Sequence, residues 1–298
     1  MNTSLTDSGA SPVAGKTILI TGGTSGIGAA TARLLLTRGH RVAVTGRDPG
    51  RLKTFLDEVG HADRVLGLVA DASDWDSTDT AVTSTVERFG SLDAAIANAG
   101  GASADHFRTG GGGVIDGGDP QLWAPMVLAN VLGPALLAKA TLPHLERSRG
   151  RLVLIGSVAG IKNSPGNLYS ATKWAVVGFA ENLRLHATTR GIGVTVVNPG
   201  MIDTAFWHGQ APPIAMSPDS VAEADRLRAR PAGGRRPQHG DDPSDRPALL
   251  TPGAQPAHRC TVLVRHRGLA PPALGAGGRA GSVRWPHDPS GRSLRNLR

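Results

Sequence analysis

The sequence predicts an α/β fold built on a doubly wound parallel β-sheet. Short apolar runs rich in β-branched residues alternate with helical segments over residues 16–197. This alternation is typical of parallel strands joined by helical crossovers. A glycine-rich turn follows the first apolar run, and polar residues follow several later runs. Ligands on such sheets bind at the carboxyl ends of the strands, so these polar residues predict one binding edge.

Six strands and the helices between them can be predicted in chain order. A loop is predicted for the glycine-rich stretch from Gly100 to Gly118. The long helix that follows is interrupted near Gly133-Pro134. The strands are expected at residues 16–21, 41–45, 65–70, 92–97, 151–156 and 192–197. After the helix that follows the first strand, helices are expected at residues 49–59, 74–89 and about 120–147. A last helix contains Tyr169 and runs to about residue 190.

The glycine-rich turn predicts a phosphate-binding site. It reads Thr-Gly-Gly-Thr-Ser-Gly-Ile-Gly over residues 21–28, between the first strand and an alanine- and leucine-rich helix that ends near Gly39. Glycines at this place allow backbone N–H groups to approach a pyrophosphate at the positive end of the helix. A glycine cluster alone often marks a simple turn, but its position between strand and helix favours a nucleotide.

The end of the second strand indicates which nucleotide is bound. A carboxylate there would bind the ribose hydroxyls of NAD, whereas a basic residue accommodates the 2′-phosphate of NADP. Arg47 occupies this place and Asp48 follows it. Arg47 could also be an ordinary loop residue, and Asp48 could be the N-cap of the next helix. We expect NADP, with NAD as the other possibility.

An acid/base pair is predicted within the helix that follows the fifth strand. Tyr169 and Lys173 are separated by one helical turn, so they lie on the same helix face. A nearby cation favours phenolate and lowers the pKa of a tyrosine. A surface tyrosine packed on a lysine stem is the simpler interpretation of this pair alone. The other motifs at the same edge, including Ser157 and Thr204, favour the chemical interpretation.

Composition limits the other classes of function. The formal charge of +8 resides in residues 225–298, which contain 14 Arg, 5 Asp, no Lys and no Glu. Residues 1–224 hold the remaining 18 basic and 19 acidic side chains. The tail also lacks the interleaved aromatic residues of a nucleic-acid-binding segment, so we rank nucleic-acid binding well below an enzyme.

The chain carries no sign of export or membrane insertion at the level of sequence. It has one cysteine, Cys260, which excludes an intrachain disulfide framework and fits a reducing, cytoplasmic setting. No run of eighteen apolar residues occurs, and the N-terminus lacks a secretory signal. Residues 1–15 are predicted to be a loose leader.

Taken together, these motifs resemble the short-chain dehydrogenase/reductase family, whose members are single-domain, Rossmann-like NAD(P)-dependent oxidoreductases. The resemblance covers residues 16–224 and predicts no metal site. It implies that the catalytic residues are Asn130, Ser157, Tyr169 and Lys173. The implied cofactor-binding residues are Thr21, Gly22, Thr24, Ser25, Gly26, Ile27, Gly28, Arg47, Asp71, Ala72, Asn98, Ala99, Gly100, Tyr169, Lys173, Pro199, Gly200, Ile202 and Thr204.

The resemblance also implies a role for each catalytic residue. Tyr169 would be the general acid/base, and Ser157 would hold the substrate oxygen by a hydrogen bond. Lys173 would bind the nicotinamide ribose and lower the pKa of Tyr169, while Asn130 would anchor a water in the proton relay. The implied activity is NADP(H)-dependent interconversion of an alcohol and a ketone. A protein of the same fold that binds the nucleotide without turnover is the alternative.

The substrate itself is not predicted, but some residues are expected to border its pocket. Val158, Met201, Phe206, Trp207 and His208 follow the fifth and sixth strands and suggest an apolar substrate region. Each of them could instead pack in the core or in a covering loop. Homo-oligomers are typical of the family, although a missing edge strand would put this in doubt.

Residues 225–298 do not continue the family pattern. They are rich in Arg, Pro and Gly, and we predict a disordered tail that leaves the seventh strand of the sheet missing. A shifted reading frame is one hypothesis. With chosen codons, a one-nucleotide offset turns residues 225–231 into Ile-Val-Phe-Ala-Leu-Ala and residues 238–246 into a strand-like segment. A natural extension is the alternative.

Overall fold

The computed structural model describes residues 15–102, 114–204, 217, 219 and 261–263. The description below is confined to these residues. All of the predicted leader except Gly15, and all of the predicted tail except residues 261–263, therefore lie outside the described residues.

A parallel sheet forms the centre of the fold, as predicted. Strands β1 to β6 pair in parallel, and β7 adds an antiparallel edge, in the order β3-β2-β1-β4-β5-β6-β7. The chain starts at the centre of the sheet and winds outward in both directions, so the loops after β1 and β4 lie side by side. The strands are β1 Thr17–Ile20, β2 Arg41–Gly46, β3 Val65–Val69, β4 Ala94–Ala97, β5 Arg151–Ile155, β6 Gly193–Asn198 and β7 Thr261–Leu263.

Helices connect the strands and cover both faces of the sheet. Three helices begin with an N-cap whose side chain accepts a backbone N–H of the first turn: Asp48, Asp74 and Asn167. These N–H groups have no partner within the helix itself, so each cap satisfies one of them. The short helix α4 lies in the stretch that was predicted to be a loop. The helices are α1 Gly26–Thr37, α2 Pro49–Val59, α3 Trp75–Phe89, α4 Val114–Gly117, α5 Trp123–Val127, α6 Gly133–Ser148 and α7 Leu168–Thr188.

The core has two layers because the sheet is buried on both faces. Leu19 packs in one layer, which α3, α6 and α7 cover, while its neighbours Ile18 and Ile20 pack in the other, which α1 and α2 cover. Successive strand residues point to opposite faces, so both sets must be apolar. This explains why the strands appear in the sequence as continuous apolar runs.

A π-helical segment interrupts the predicted long helix. It spans Leu128–Leu132 and joins α5 to α6 immediately before Gly133. The helical run Pro120–Ser148 is long and apolar enough to cross a bilayer by length and composition alone. Leu137 and Leu145 within it are buried in the protein core, the usual place of an apolar helix that packs against a sheet.

The prediction that the tail adds no strand to the sheet is wrong for three residues. Thr261–Leu263 pairs antiparallel with the end of β6, opposite Val196–Asn198. The reason is physical: β6 without a neighbour presents unpaired N–H and C=O groups, and these bind an available extended segment. The sequence around Thr261 is an apolar, β-branched run in an otherwise Arg/Pro/Gly-rich region.

A threonine–asparagine crossing joins the ends of β1 and β4. Thr21 Oγ1 accepts the backbone N–H groups of Asn98 and Ala99 at 3.1 and 3.2 Å. In return the Asn98 amide donates to the Thr21 and Gly22 carbonyls at 3.0 and 2.9 Å. Two neighbouring loops of the sheet edge are thereby held in one arrangement.

Replacing Thr21 by Val tests this crossing. Val has the same shape but cannot accept the two N–H groups. The Asn98 N–H keeps its bond to the Ile96 carbonyl at 3.1 Å, whereas the Ala99 N–H loses its partner, and an unpaired buried donor costs about 1 to 3 kcal/mol. We expect Thr21→Val to lower the free energy of unfolding by about 1 to 3 kcal/mol, measured by urea denaturation. Thr54→Val on the exposed face of α2 is the matched control, and equal effects of both variants would contradict the role of the crossing.

Candidate active site

A cleft of about 1500 Å³ opens along the carboxyl edge of the sheet. Three predicted residues, Thr21, Gly28 and Asn130, do not line it but lie behind its wall. The predicted residues that line it are Gly22, Thr24, Ser25, Gly26, Ile27, Arg47, Asp71, Ala72, Asn98, Ala99, Gly100, Ser157, Val158, Tyr169, Lys173, Pro199, Gly200, Met201, Ile202 and Thr204. One fold therefore brings residues far apart in sequence into a single site.

The glycine turn has the shape that a phosphate cradle requires. Gly22 and Gly26 have φ angles of 64° and 52°, which a side chain disfavours. A Cβ on Gly28 would overlap the Gly22 carbonyl and the Asn98 amide. The turn can therefore remain this tight only with glycine at these places, and α1 begins directly behind it.

Basic and acidic groups meet where β2 and β3 leave the sheet. Arg47 is exposed at the rim of the cleft. Asp48 is the N-cap of α2, with its carboxylate accepting the Arg51 N–H at 3.0 Å. Asp71 accepts the N–H and the hydroxyl of Ser73 at 2.9 and 2.7 Å. The Ser73 N–H is the main cause of a lowered pKa of Asp71, to which the Ser73 hydroxyl and the charge of Arg47 add.

Ser157, Tyr169 and Lys173 converge at the opposite end of the cleft. The side chains of Ser157 and Tyr169 are hydrogen-bonded to each other. Ser157 Oγ also accepts the Ala159 N–H at 3.1 Å. Lys173 Nζ lies 5.7 Å from the centre of the Tyr169 ring and donates to the Ile155 carbonyl at 3.0 Å. A hydroxyl, a phenol and an ammonium thus share one small volume.

Burial dominates the protonation of this pair. Burial raises the pKa of Tyr169 to about 12, and the hydrogen bond from Ser157 only partly opposes it. Burial also lowers the pKa of Lys173 to about 8. The expected lowering of the Tyr169 pKa by Lys173 is therefore not found here, because desolvation of the phenolate outweighs the nearby cation. At neutral pH the phenol is protonated and the ammonium remains largely charged.

Asn130 has a structural task that the sequence did not reveal. Its side chain is 1% exposed, accepts the Gly101 N–H at 2.9 Å, and donates to the Gly101 carbonyl and to Thr172 Oγ1, both at 2.9 Å. Thr172 in turn donates to the Tyr169 carbonyl at 2.7 Å. The amide of Asn130 is thereby committed to protein partners, and it joins the loop after β4 to the helix that carries Tyr169.

Several residues that line the cleft were missed by sequence reasoning. Arg51 lies in the first turn of α2, close in sequence to Arg47, so the basic residues that follow β2 could have signalled it. Four more are apolar residues of the α5 region and the π-helical segment, where no motif marks them: Leu122, Pro125, Met126 and Ala129. Phe206, Trp207 and His208 lie outside the described residues. Within the described part of the chain, no group of three or more His, Cys, Asp or Glu is arranged to hold a metal ion.

The chain matches the family model described as short chain dehydrogenase over residues 16–213. It is 32% identical to an L-fucose dehydrogenase of Bos taurus over 210 residues, which cover 70% of this chain and 73% of that protein.

Two solved structures are similar in fold. An alcohol dehydrogenase from the archaeon Thermococcus sibiricus, complexed with 5-hydroxy-NADP, has a TM-score of 0.63 at 28% identity, covering 71% of this chain and 88% of that one. A 3-ketoacyl-(acyl-carrier-protein) reductase from Brucella melitensis, complexed with NADH, has a TM-score of 0.59 at 26% identity, covering 71% and 89%.

These matches agree with the glycine turn, the cleft and the convergence of Ser157, Tyr169 and Lys173. The tight turn at the start of α1 fits the pyrophosphate of a dinucleotide, which makes this an NAD(P)-binding protein. The chain belongs to the short-chain dehydrogenase family of oxidoreductases.

Proposed function

We propose that this protein is a cytoplasmic, NADP(H)-dependent oxidoreductase that interconverts an alcohol and a ketone, with Tyr169 as the general acid/base. The observation that carries the proposal is the contact between the Tyr169 and Ser157 side chains in a cleft that also holds Lys173. A bound nicotinamide cofactor would supply the hydride. The protein's own groups handle the proton and the orientation of the substrate.

The hydrogen bonds of Ser157 suit it to hold a substrate oxygen. Its Oγ accepts the Ala159 N–H and its one O–H proton is donated to the Tyr169 hydroxyl, so a substrate oxygen that enters between the two side chains can take over that donor. A carbonyl oxygen held by that donor would lie within reach of the Tyr169 hydroxyl, which is bonded to the same serine. The neutral phenol that burial favours is the form that can give a proton to a developing alkoxide.

Lys173 supports the proton transfer through its charge. At a pKa of about 8 it is mostly an ammonium at neutral pH. A cation 5.7 Å from the ring centre stabilises the phenolate that remains once Tyr169 has released its proton. Because this benefit arises as charge develops, it favours the transition state over the bound substrate.

The walls near Ser157 favour an uncharged, apolar substrate. Among the described residues, the charged side chains of the cleft are Lys173 and the group around β2 and β3. Leu122, Pro125, Met126 and Met201 line the cleft without any charge. Apart from Lys173, whose Nζ is bonded to the Ile155 carbonyl, this described wall offers no charged partner to a substrate carboxylate or phosphate, so simple apolar ketones are the first substrates to test.

The β2 end of the cleft favours NADP over NAD. Asp48, the carboxylate that could bind the ribose hydroxyls of NAD, already caps α2 through Arg51 N–H. Arg47 and Arg51 line the same rim, and a guanidinium can bind a phosphate with two parallel hydrogen bonds. The side chains here therefore offer positive charge for the 2′-phosphate.

Association between copies of this chain is a further part of the proposal. On α7 the exposed Ala171, Trp174, Ala175 and Gly178 lie on one helix face and form an apolar stripe, with Trp174 45% exposed. Such a stripe is typical of a surface that another molecule covers. Light scattering that finds only monomers at high protein concentration would contradict the proposal.

The reading-frame origin of residues 225–298 remains a prediction, which sequencing of the gene decides.

Replacing Tyr169 by Phe tests the proposed chemistry. We expect Tyr169→Phe to lower kcat by about 100-fold or more, since general acid catalysis contributes about 10² to 10⁴. NADPH oxidation with a panel of apolar ketones is followed at 340 nm, and NADPH affinity is measured by fluorescence. Unchanged affinity with lost turnover supports the proposal. A wild-type chain that binds NADPH but reduces no member of the panel would favour the nucleotide-binding alternative.

Replacing Arg47 by Ala tests the cofactor preference. A charged hydrogen bond contributes about 1.5 to 3 kcal/mol, so we expect NADPH affinity to fall by about 10- to 100-fold. NADH lacks the 2′-phosphate, and its affinity should change by less than about threefold. Arg33→Ala is the matched control, because Arg33 is an exposed arginine of α1 paired with Glu58. Tighter binding of NADH than NADPH by the wild type would overturn the assignment of Arg47.

A further inference from the structure

We propose that Asn198 is a positioning residue for Ser157, and that Gly156 is required so that the Asn198 side chain can reach it. This inference rests on the proposed role of Ser157 as the group that holds the substrate oxygen. Asn198 ends β6 and does not line the cleft, so it would act through Ser157 and not on the substrate.

Three consecutive N–H groups fasten the exit of β5 to the exit of β6. Gly156 N–H donates to the Val197 carbonyl at 2.7 Å, and Val158 N–H donates to the Pro199 carbonyl at 2.9 Å. These two bonds continue the parallel ladder. Between them, Ser157 N–H donates to Asn198 Oδ1 at 3.1 Å. N–H groups of adjacent residues in an extended chain point to opposite sides, so the Ser157 N–H points away from the main chain of β6. Its partner is therefore a side chain.

The Asn198 side chain reaches Ser157 by crossing over Gly156. A Cβ on Gly156 would overlap Asn198 Oδ1, so the amide occupies the space that a side chain would need. Asn198 is 1% exposed, and its position in this gap is fixed by packing on all sides. Nδ2 of Asn198 has no hydrogen-bond partner among the described residues. The hydrogen bond that this side chain makes there is the one that Oδ1 accepts from the Ser157 N–H.

The bond from Ser157 N–H fixes the direction of the serine hydroxyl. Ser157 has extended backbone angles of −168° and 158°, and its Oγ receives the Ala159 N–H. With the backbone N–H also held, the residue cannot rotate about the chain and its Oγ faces Tyr169. Loss of the Asn198 oxygen would free one buried N–H and loosen the hydroxyl that the substrate must meet. Misplacement of a reacting group by about 1 Å can cost about 100-fold in rate.

Two variants of equal size separate positioning from simple packing. Asn198→Leu fills the same volume without an acceptor, whereas Asn198→Asp keeps the acceptor. If Asn198 positions Ser157, kcat should fall by about 10- to 100-fold in Asn198→Leu and recover toward wild type in Asn198→Asp, while NADPH affinity changes by less than about threefold. If Asn198 only fills space, Asn198→Leu should keep the wild-type kcat, and that result would overturn the inference.

The single tyrosine provides a readout that does not need turnover. Phenolate absorbance near 295 nm reports Tyr169 alone, and a stopped-flow pH jump reads it before alkaline unfolding. Because the hydrogen bond from Ser157 lowers the pKa of Tyr169, Asn198→Leu should raise the titration midpoint, as Ser157→Ala should. Equal midpoints in wild type and Asn198→Leu would overturn the inference.

The controls keep this inference separate from the proposed function. Asn182→Leu removes an exposed amide that bonds only within α7 in the described structure, and it should leave both readouts unchanged. Absence of turnover in the wild type would count against the proposed function, while the titration would still decide the role of Asn198. If Asn198→Leu does not fold, Asn198→Ala takes its place in the comparison with Asn198→Asp.

Discussion

The burial of the Lys173 ammonium is the constraint on which the site depends. A charged group inside a protein is costly unless it is hydrogen-bonded, and Lys173 is 6% exposed with its Nζ bonded to the Ile155 carbonyl. That bond fixes α7 against the end of β5. Any Cβ on Gly160 would overlap the Lys173 carbonyl, so the segment after β5 also packs directly on this turn of the helix. The hydrogen bond and this close packing set the distance between α7 and the segment after β5, and Tyr169 and Ser157 meet as a result.

The same arrangement explains why the acid/base pair differs from a simple tyrosine–lysine pair in water. Close packing removes solvent from both groups, which disfavours the phenolate and the ammonium alike. The pKa of Tyr169 is raised to about 12 and that of Lys173 is lowered to about 8. The site therefore holds the proton on the phenol until a new charge appears beside it, and this suits the reduction of a carbonyl.

Most of the fold, and the edge of the sheet at which the predicted site residues lie, could be predicted from local pattern. Strands buried on both faces are continuous apolar runs, and helix α2 begins and ends where predicted, at Pro49 and Val59. What the sequence could not reveal depends on distant contacts: the bond between Asn130 and Gly101, the crossing of Asn198 over Gly156, and the pairing of β7. The raised pKa of Tyr169 could not be predicted either, because it follows from desolvation by packing and not from the spacing to Lys173.

The central claim is that Tyr169 is an acid/base whose ionisation responds to charge in the cleft. Titration of its phenolate absorbance with and without saturating NADP⁺ tests this directly, because the chain has one tyrosine. Without nucleotide, the account predicts a pKa well above 10, near the value of about 12 that burial produces. A bound nicotinamide cation should lower it by more than about one pH unit, since nearby positive charge favours phenolate. An ordinary pKa that NADP⁺ binding leaves unchanged would contradict the account.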